Sequence, residues 1–191
     1  MKIDDNLNLV IPAGENLRAF STPVSDLVFE ANYRVLSEAQ EQIFGRGMKA
    51  ALMTGPRIAA LAIADAGKRI AAELGEDGDM GASAFRAEIR RLTTILAPGA
   101  HGWDMLPVDA AIQNNVLNDA DWKEVEGLLC FFTCAWFMES RKTRKAFLEA
   151  LAGPLNCLAT SQNCADFTAS LPMPKADAKQ PTKKAASSVP V

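Results

Sequence analysis

The chain lacks any apolar run long enough to cross a membrane, any large excess of one charge, any second histidine and any C-x-x-C pair. Each absence removes a class of function. A membrane-spanning helix needs about 20 consecutive apolar residues. The most apolar stretch, GLLCFFTCAWFM at residues 127–138, is 12 long and flanked by charge, as suits a buried helix. The N-terminus, MKIDDNLNLV, carries two early aspartates and no apolar core of signal-peptide length, so the sequence reads as a cytoplasmic protein. Its four cysteines (Cys130, Cys134, Cys157 and Cys164) are then reduced thiols. With 20 basic against 23 acidic residues, the chain is not a free-standing basic nucleic-acid binder. The charge is unevenly placed, because residues 172–191 hold four lysines against one aspartate. An acidic body with a small basic tail gives no electrostatic reason to expect DNA.

What is present suits one compact domain. The 191 residues are 49% hydrophobic and 23% charged, ample for a core and unlike a disordered or collagen-like chain. The start reads as a β-hairpin over about residues 7–21, with turn chemistry in Pro12-Ala13-Gly14-Glu15-Asn16. Thr22-Pro23 then predicts a helix start, and Val24, Leu27, Val28, Ala31, Val35, Ala39 and Ile43 recur as one apolar face up to Gly45. Thr54-Gly55-Pro56 opens an alanine-rich helix to about Leu74, whose small residues predict an internal position. Ser83 caps a third helix with Phe85, Ile89, Leu92 and Leu96 on its apolar face, ended by Pro98-Gly99. The segment through Trp103 reads as irregular, and Pro107 begins a short helix to Leu117. A central helix from Asn118 or Asp119 carries Trp122, Val125, Leu129, Phe132 and Trp136 along one side, with Phe131, Phe137 and Met138 off it, so it is covered on several sides. Helix continues over residues 146–151, and an amphipathic piece spans about 155–171. Residues 172–191 (PMPKADAKQPTKKAASSVPV) have a composition that cannot bury enough surface to order itself. The expected fold is mainly α: a helical domain, residues 1–171, with a small N-terminal β-hairpin and a disordered C-terminal tail.

The residues with chemical potential do not assemble into motifs. His101 lies in a loop beside Trp103 with no triad pattern around it, and reads as an ordinary loop histidine. Cys130 and Cys134 share one helix face inside a phenylalanine-rich segment, and Cys157 and Cys164 are seven apart. Neither spacing is that of a zinc site, and core packing is the reading. Asp77, Asp79 and Glu88 fit an EF-hand register, but Gly81 stands where an oxygen ligand belongs and Ala82 where glycine must turn the loop. Thr54-Gly55-Pro56-Arg57 has too few glycines and no lysine for a phosphate loop. Arg141-Lys142-Thr143-Arg144-Lys145 reads as the solvated end of a helix whose dipole the cations complement. No catalytic, cofactor or metal signature remains. Interaction features do: a helical bundle, a hairpin with open edges and a flexible tail.

The order of phrases adds a resemblance. LNLVIPAGENLRAFSTPVS, VFEANYRVLSEA, GPRIAALAI, LLCFFTCAWFM and LNCLATSQNCADFTASLPMP, followed by a low-complexity tail, resemble the tail assembly chaperones of long-tailed bacteriophages over about residues 7–174. The resemblance is one of layout and phrase. It implies a non-enzymatic helical protein of the host cytoplasm, absent from the mature virion, that coats the tape-measure protein and helps recruit tail-tube subunits. It also implies a possible longer product made by ribosomal frameshifting, for which the tail would serve as linker. Apolar positions on the first and third helices are the expected partner surface, with Phe85, Ile89 and Leu92 as its residues. Phe85→Asp should then abolish partner binding and leave a folded protein. Self-association is compatible with an unpaired hairpin edge. Other classes predict different observations. A structural virion protein (tail terminator, connector or minor tail component) would be stoichiometric in particles. A metal- or thiol-dependent enzyme would hold about one tight metal per chain. A regulator acting through the basic cluster would bind DNA in a salt-dependent way.

Overall fold

The structure is a computed structural model that describes residues 7–140 and 142–174. Helices make up more than half of those residues, and all but the last of them pack on one face of a five-stranded antiparallel sheet. Strands β1 (Asn8–Pro12) and β2 (Arg18–Ser21) form the expected hairpin. Its turn closes with Ala13 N–H donating to Leu17 C=O at 3.0 Å, and uses positive φ at Gly14 and Asn16. Neither hairpin edge is open. β2 pairs with β3 (Thr93–Gly99), β3 with β4 (Gly102–Pro107), and β1 with β5 (Leu158–Thr160), in the spatial order β4-β3-β2-β1-β5.

The helical layer begins later than the Thr22-Pro23 signal suggests. Thr22 still belongs to the sheet margin, its N–H donating to Leu92 C=O at 3.1 Å. Helix α1 (Asp26–Ala31) is capped by Ser25, whose Oγ accepts from Val28 N–H at 3.3 Å. Asn32 interrupts the helix before α2 (Tyr33–Phe44), which buries Val35, Leu36, Ala39 and Ile43. Because of that break, Leu27 does not share the buried face and is 77% exposed.

Helix α3 (Met48–Leu74) starts six residues ahead of Thr54 and contains Pro56, rather than opening at it. It packs between α2 and α6 (Asp119–Trp136), where the predicted internal position is realised through small residues: Gly55, Ala59, Ala62, Ala66 and Gly67 are buried. The approach to α6 is close. A Cβ at Gly127 would lie 2.2 Å from Pro56 C=O, and one at Gly55 would lie 2.6 Å from the Phe131 ring. Helix α6 is buried on several sides, with Trp122, Val125, Leu129, Phe131, Phe132 and Trp136 all in the core. Asn118 caps it, its Oδ1 accepting from Asp121 N–H at 2.8 Å, and Gln40 Nε2 donates to Cys134 C=O at 2.8 Å to tie α2 alongside.

The larger departures lie in the second half. Helix α4 (Ala82–Arg91) stops before Thr93, and the β-branched run from Thr93 to Ile95 continues as strand. The segment expected to be irregular is the β3–β4 hairpin, closed by the two-residue turn Ala100-His101 with Gly99 opposite Gly102. α5 (Val108–Gln113) is shorter than expected, and α7 (Arg144–Ala152) begins at Arg144. The span 155–171 is not one amphipathic helix. It holds the end of a 3-10 turn (Gly153–Leu155), then β5, then α8 (Cys164–Ser170), capped by Asn163. Of the expected tail, 175–191 lie outside the described residues. Residues 172–174 are described, and Pro172 C=O accepts from Trp103 Nε1–H at 2.9 Å, which ties this start of the tail to the sheet.

Strand alternation divides the core. Leu9, Ile11, Ala19 and Ile95 face inward and join the main core beneath the helices. Val10, Phe20 and Leu96 face outward, where Phe167 of α8 covers them in a separate small cluster.

Candidate functional site

The residues expected to meet a partner are in the interior. Phe85 and Ile89 are each 2% exposed, and Leu92 is half-buried at the end of α4. α4 turns this stripe toward α6 and the sheet, so the apolar face read from its periodicity is a packing face. With Phe85 in the core, Phe85→Asp unfolds the protein before it can report on binding. A bidentate ion pair fixes the same helix: Arg86 Nε and an Nη donate to the two Glu126 carboxylate oxygens, both at 2.9 Å. The Glu126 hydrogen bonds raise the Arg86 pKa, which keeps the guanidinium charged at this half-buried position.

The thiols sit in two environments. Cys130 and Cys134 are wholly buried, one helical turn apart on α6. Burial pushes the Cys134 thiol up to about 12 and the Cys130 thiol well above its ordinary value, so both stay protonated. Cys157 is likewise pushed up to about 12 by burial, and Cys164 is raised for the same reason. A nucleophilic cysteine needs its pKa lowered, the opposite shift. Among the described residues no group of three or more His, Cys, Asp and Glu side chains is placed to hold a metal ion. His101 occupies the exposed tip of the β3–β4 turn.

The acidic loop serves as a cap. Asp79 accepts from Ser83 N–H at 2.9 Å and from Ser83 Oγ, and the Ser83 hydroxyl bond lowers the Asp79 pKa. Ser83 is thus inside α4 as the donor, with Gly81 at the cap position. Arg57, expected on the first turn of a helix opening at Thr54-Gly55-Pro56, lies further inside α3, on its exposed side. The basic cluster is not the end of a helix. Arg144 and Lys145 lie in the first turn of α7, where a helix dipole disfavours cations, and Arg141 lies outside the described residues. The Arg144 guanidinium instead stacks over Trp136 at 4.8 Å and Phe137 at 5.2 Å.

What remains is surface. Seven of the eleven exposed large hydrophobics among the described residues lie on α1, α2 and α3: Leu27, Tyr33, Met48, Met53, Ile58, Leu61 and Leu74. Leu27, Met53 and Leu61 are 77%, 73% and 69% exposed. On α3 Met53, Ile58 and Leu61 point outward, while the inward face holds small residues together with Ile63 and Ile70. Residue size along the helix therefore does not by itself mark the outward face in the sequence. The apolar cavity among Leu9, Val24, Leu129, Phe132 and Trp136 is only about 40 Å³, room for about three waters. No described helix is long and apolar enough to cross a membrane. Compared with protein-family models, curated proteins and solved structures, the chain has no match.

Proposed function

We propose that this chain is a non-enzymatic tail assembly chaperone that holds the tape-measure protein of a long-tailed bacteriophage and helps recruit tail-tube subunits, acting in the host cytoplasm. The observation that supports this reading is the exposure of large apolar side chains on α1 and α3, where Leu27, Met53 and Leu61 are more than two-thirds exposed. An amphipathic client helix buries its apolar stripe on such a surface, and many copies along one long client convert modest contacts into high avidity. Large apolar side chains left exposed on these helices are the positions such a client would cover.

Co-expression with the tape-measure protein tests it. Soluble co-purification of a client that is insoluble alone is the expected result, and Met53→Lys combined with Leu61→Lys should abolish it. Those two changes replace exposed side chains and should move stability by no more than about 0.5 kcal/mol. A tape-measure protein that is soluble unaided and is not captured sinks the chaperone reading. A structural virion role is the second reading, favoured by the outer edge of β4, which pairs with no strand among the described residues. Stoichiometric recovery of the chain from purified particles by mass spectrometry would support that role instead.

A further inference from the structure

The outer face of the sheet takes no part in the surface described above. Register places Leu158, Val10, Phe20 and Thr94 in one cross-strand row, and Leu96 beside Met105 in the next. Apolar side chains therefore run from the β5 edge to the β4 edge. Only the middle is covered. Val10, Phe20 and Leu96 are 2%, 3% and 0% exposed beneath Phe167, whereas Leu158 and Met105 at the two edges are 50% and 51% exposed.

The cover is too short for the face. α8 has seven residues, a length of about 10 Å at about 1.5 Å per residue. Four interstrand spacings of about 4.8 Å make the row about 19 Å wide. Open space remains along the sheet on this side, and one part of it borders α8. A groove of about 960 Å³ runs past Trp103, Leu158 and the β1–β2 turn, and a cleft of about 570 Å³ lies beside Asn8, Phe20 and Thr94. Phe167 is the one side chain that α8 buries, with its ring centroid 5.7 Å from that of Phe20. The attachments are few. Asn8 Nδ2 donates to Gln162 C=O at 2.8 Å before the helix, and Trp103 Nε1 donates to Pro172 C=O after it. Asn8 is itself 7% exposed, and its Oδ1, sealed from solvent, has no hydrogen-bond partner. A buried amide left half-satisfied weakens the closed arrangement.

We propose that this face is the seat for an amphipathic helix of about thirteen residues or more from another protein, and that α8 is its short intramolecular stand-in. α8 shows what the seat accepts: a helix presenting one central aromatic, flanked by the smaller apolar contacts of Cys164 and Leu171. A longer helix covers Leu158 and Met105 as well as the centre, burying apolar area that α8 leaves in water. Arg18 is the one charged side chain lining the larger groove, so the incoming helix carries an acidic residue beside its apolar stripe. Asp166, the one charged residue of the smaller cleft, belongs to α8 and leaves with it. This inference stands apart from the tail-assembly reading, which uses the opposite, helical side.

The full chain tests it, with two variants read separately. The probe is a fluorescein-labelled peptide of about 15 residues, with leucines at three- and four-residue steps around a central phenylalanine and one flanking glutamate. A scrambled peptide of the same composition is the control. Cys164 Sγ lies 3.8 Å from Met105 Sδ, so Met105→Cys is the variant for a tie between α8 and β4; loss of two free thiols on oxidation verifies the disulfide before binding is read, and reduction frees it. Phe167→Asp unseats α8 outright. If α8 occupies the seat about nine-tenths of the time, freeing it tightens the apparent affinity about tenfold. Phe167→Asp should therefore bind the probe about tenfold more tightly than the unaltered chain, and oxidised M105C should bind far more weakly than the same protein reduced. Equal binding of the unaltered chain and F167D overturns the proposal. So does equal binding of oxidised and reduced M105C, or of the probe and its scrambled control.

Discussion

The two faces of one sheet are built from alternate residues of the same strands, yet they support very different amounts of structure. Leu9, Ile11, Ala19 and Ile95 face a helical layer in which α3 and α6 cross at glycine and alanine contacts. Val10, Phe20 and Leu96 face a seven-residue helix that buries one phenylalanine. All seven are at most 8% exposed. Burial of a residue therefore does not measure how much of the fold depends on it. What differs is whether the covering element is itself held by a continuous core. The same contrast separates Phe85, 2% exposed, from Phe167, 5% exposed.

Phe85→Asp gives the largest expected effect. A carboxylate placed between α4, α6 and the sheet enters a cluster of apolar side chains that offers it no counter-charge. Loss of more than about 4 kcal/mol is expected, an unfolded or molten chain at room temperature. Urea titration followed by far-UV circular dichroism reads it, and a cooperative transition near that of the unaltered chain would place Phe85 outside the core.

Gly127→Ala comes next. Its Cβ meets the Pro56 carbonyl at 2.2 Å, a backbone atom that cannot swing away, so α3 and α6 must separate. The expected cost is about 1–3 kcal/mol. Gly153→Ala is the counterpart on the path to the outer layer. Gly153 has φ −55 and open space around its missing Cβ. That substitution should be neutral or stabilising by up to about 1 kcal/mol, through the unfolded chain. Equal effects from the two glycines would erase the difference between the layers.

These contrasts bear on what the sequence reveals. α2 and α6 were legible because apolar residues recur at helical period over three turns or more, bounded by Asn118 or Gly45. β3 was not, because Phe85, Ile89, Leu92 and Leu96 keep a helical period across a boundary that Thr93-Thr94 sets locally. β4 pairs locally with β3 across Ala100-His101 and was missed because that turn lacks a strong hairpin signal, whereas β5 and α8 are short and are held by β1 and Trp103, far away in the chain, which no local pattern encodes. The burial of Phe85 and Ile89 was hidden for a related reason. Periodicity shows that one face of α4 is apolar, and only the packed structure shows that this face is already covered. On α3 the same limit applies, since Met53 and Leu61 are exposed while Ile63 and Ile70 of the same helix are buried.

High pH separates the layers through their thiols. Cys134 in the inner layer has its pKa at about 12, against 9.0 for a free thiol, because burial penalises the thiolate. The unfolded chain therefore loses this proton first as pH rises. Below about 9 both states are protonated and stability is unaffected; above it the native state binds one more proton than the unfolded state, and stability falls by about 1.4 kcal/mol per pH unit for this group. Urea midpoints should drop progressively above about pH 9, and Cys134→Ala should make that decline shallower. Alkylation at mildly alkaline pH provides the companion reading. Cys164, half-buried in the outer layer, should react with iodoacetamide well before Cys130 and Cys134, which wait for unfolding. Simultaneous reaction of all three would mean that the two layers open together.

The smallest effect on global stability is also the sharpest test of the comparison. Phe167→Asp introduces the same charge as Phe85→Asp at a site that is nearly as buried, 5% against 2% exposed. α8 is the last described helix and borders an open cleft, so the carboxylate reaches water by lifting seven residues. The main core of Leu9, Ile11, Phe131 and their neighbours is untouched by that movement. The cooperative urea transition should shift by no more than about 1 kcal/mol, while amide protection is lost from residues 164–170 alone. Hydrogen exchange resolves the two possibilities. If protection also falls in β1, β2 and β3, then α8 is part of the cooperative unit, and the outer face is a second core rather than a cover.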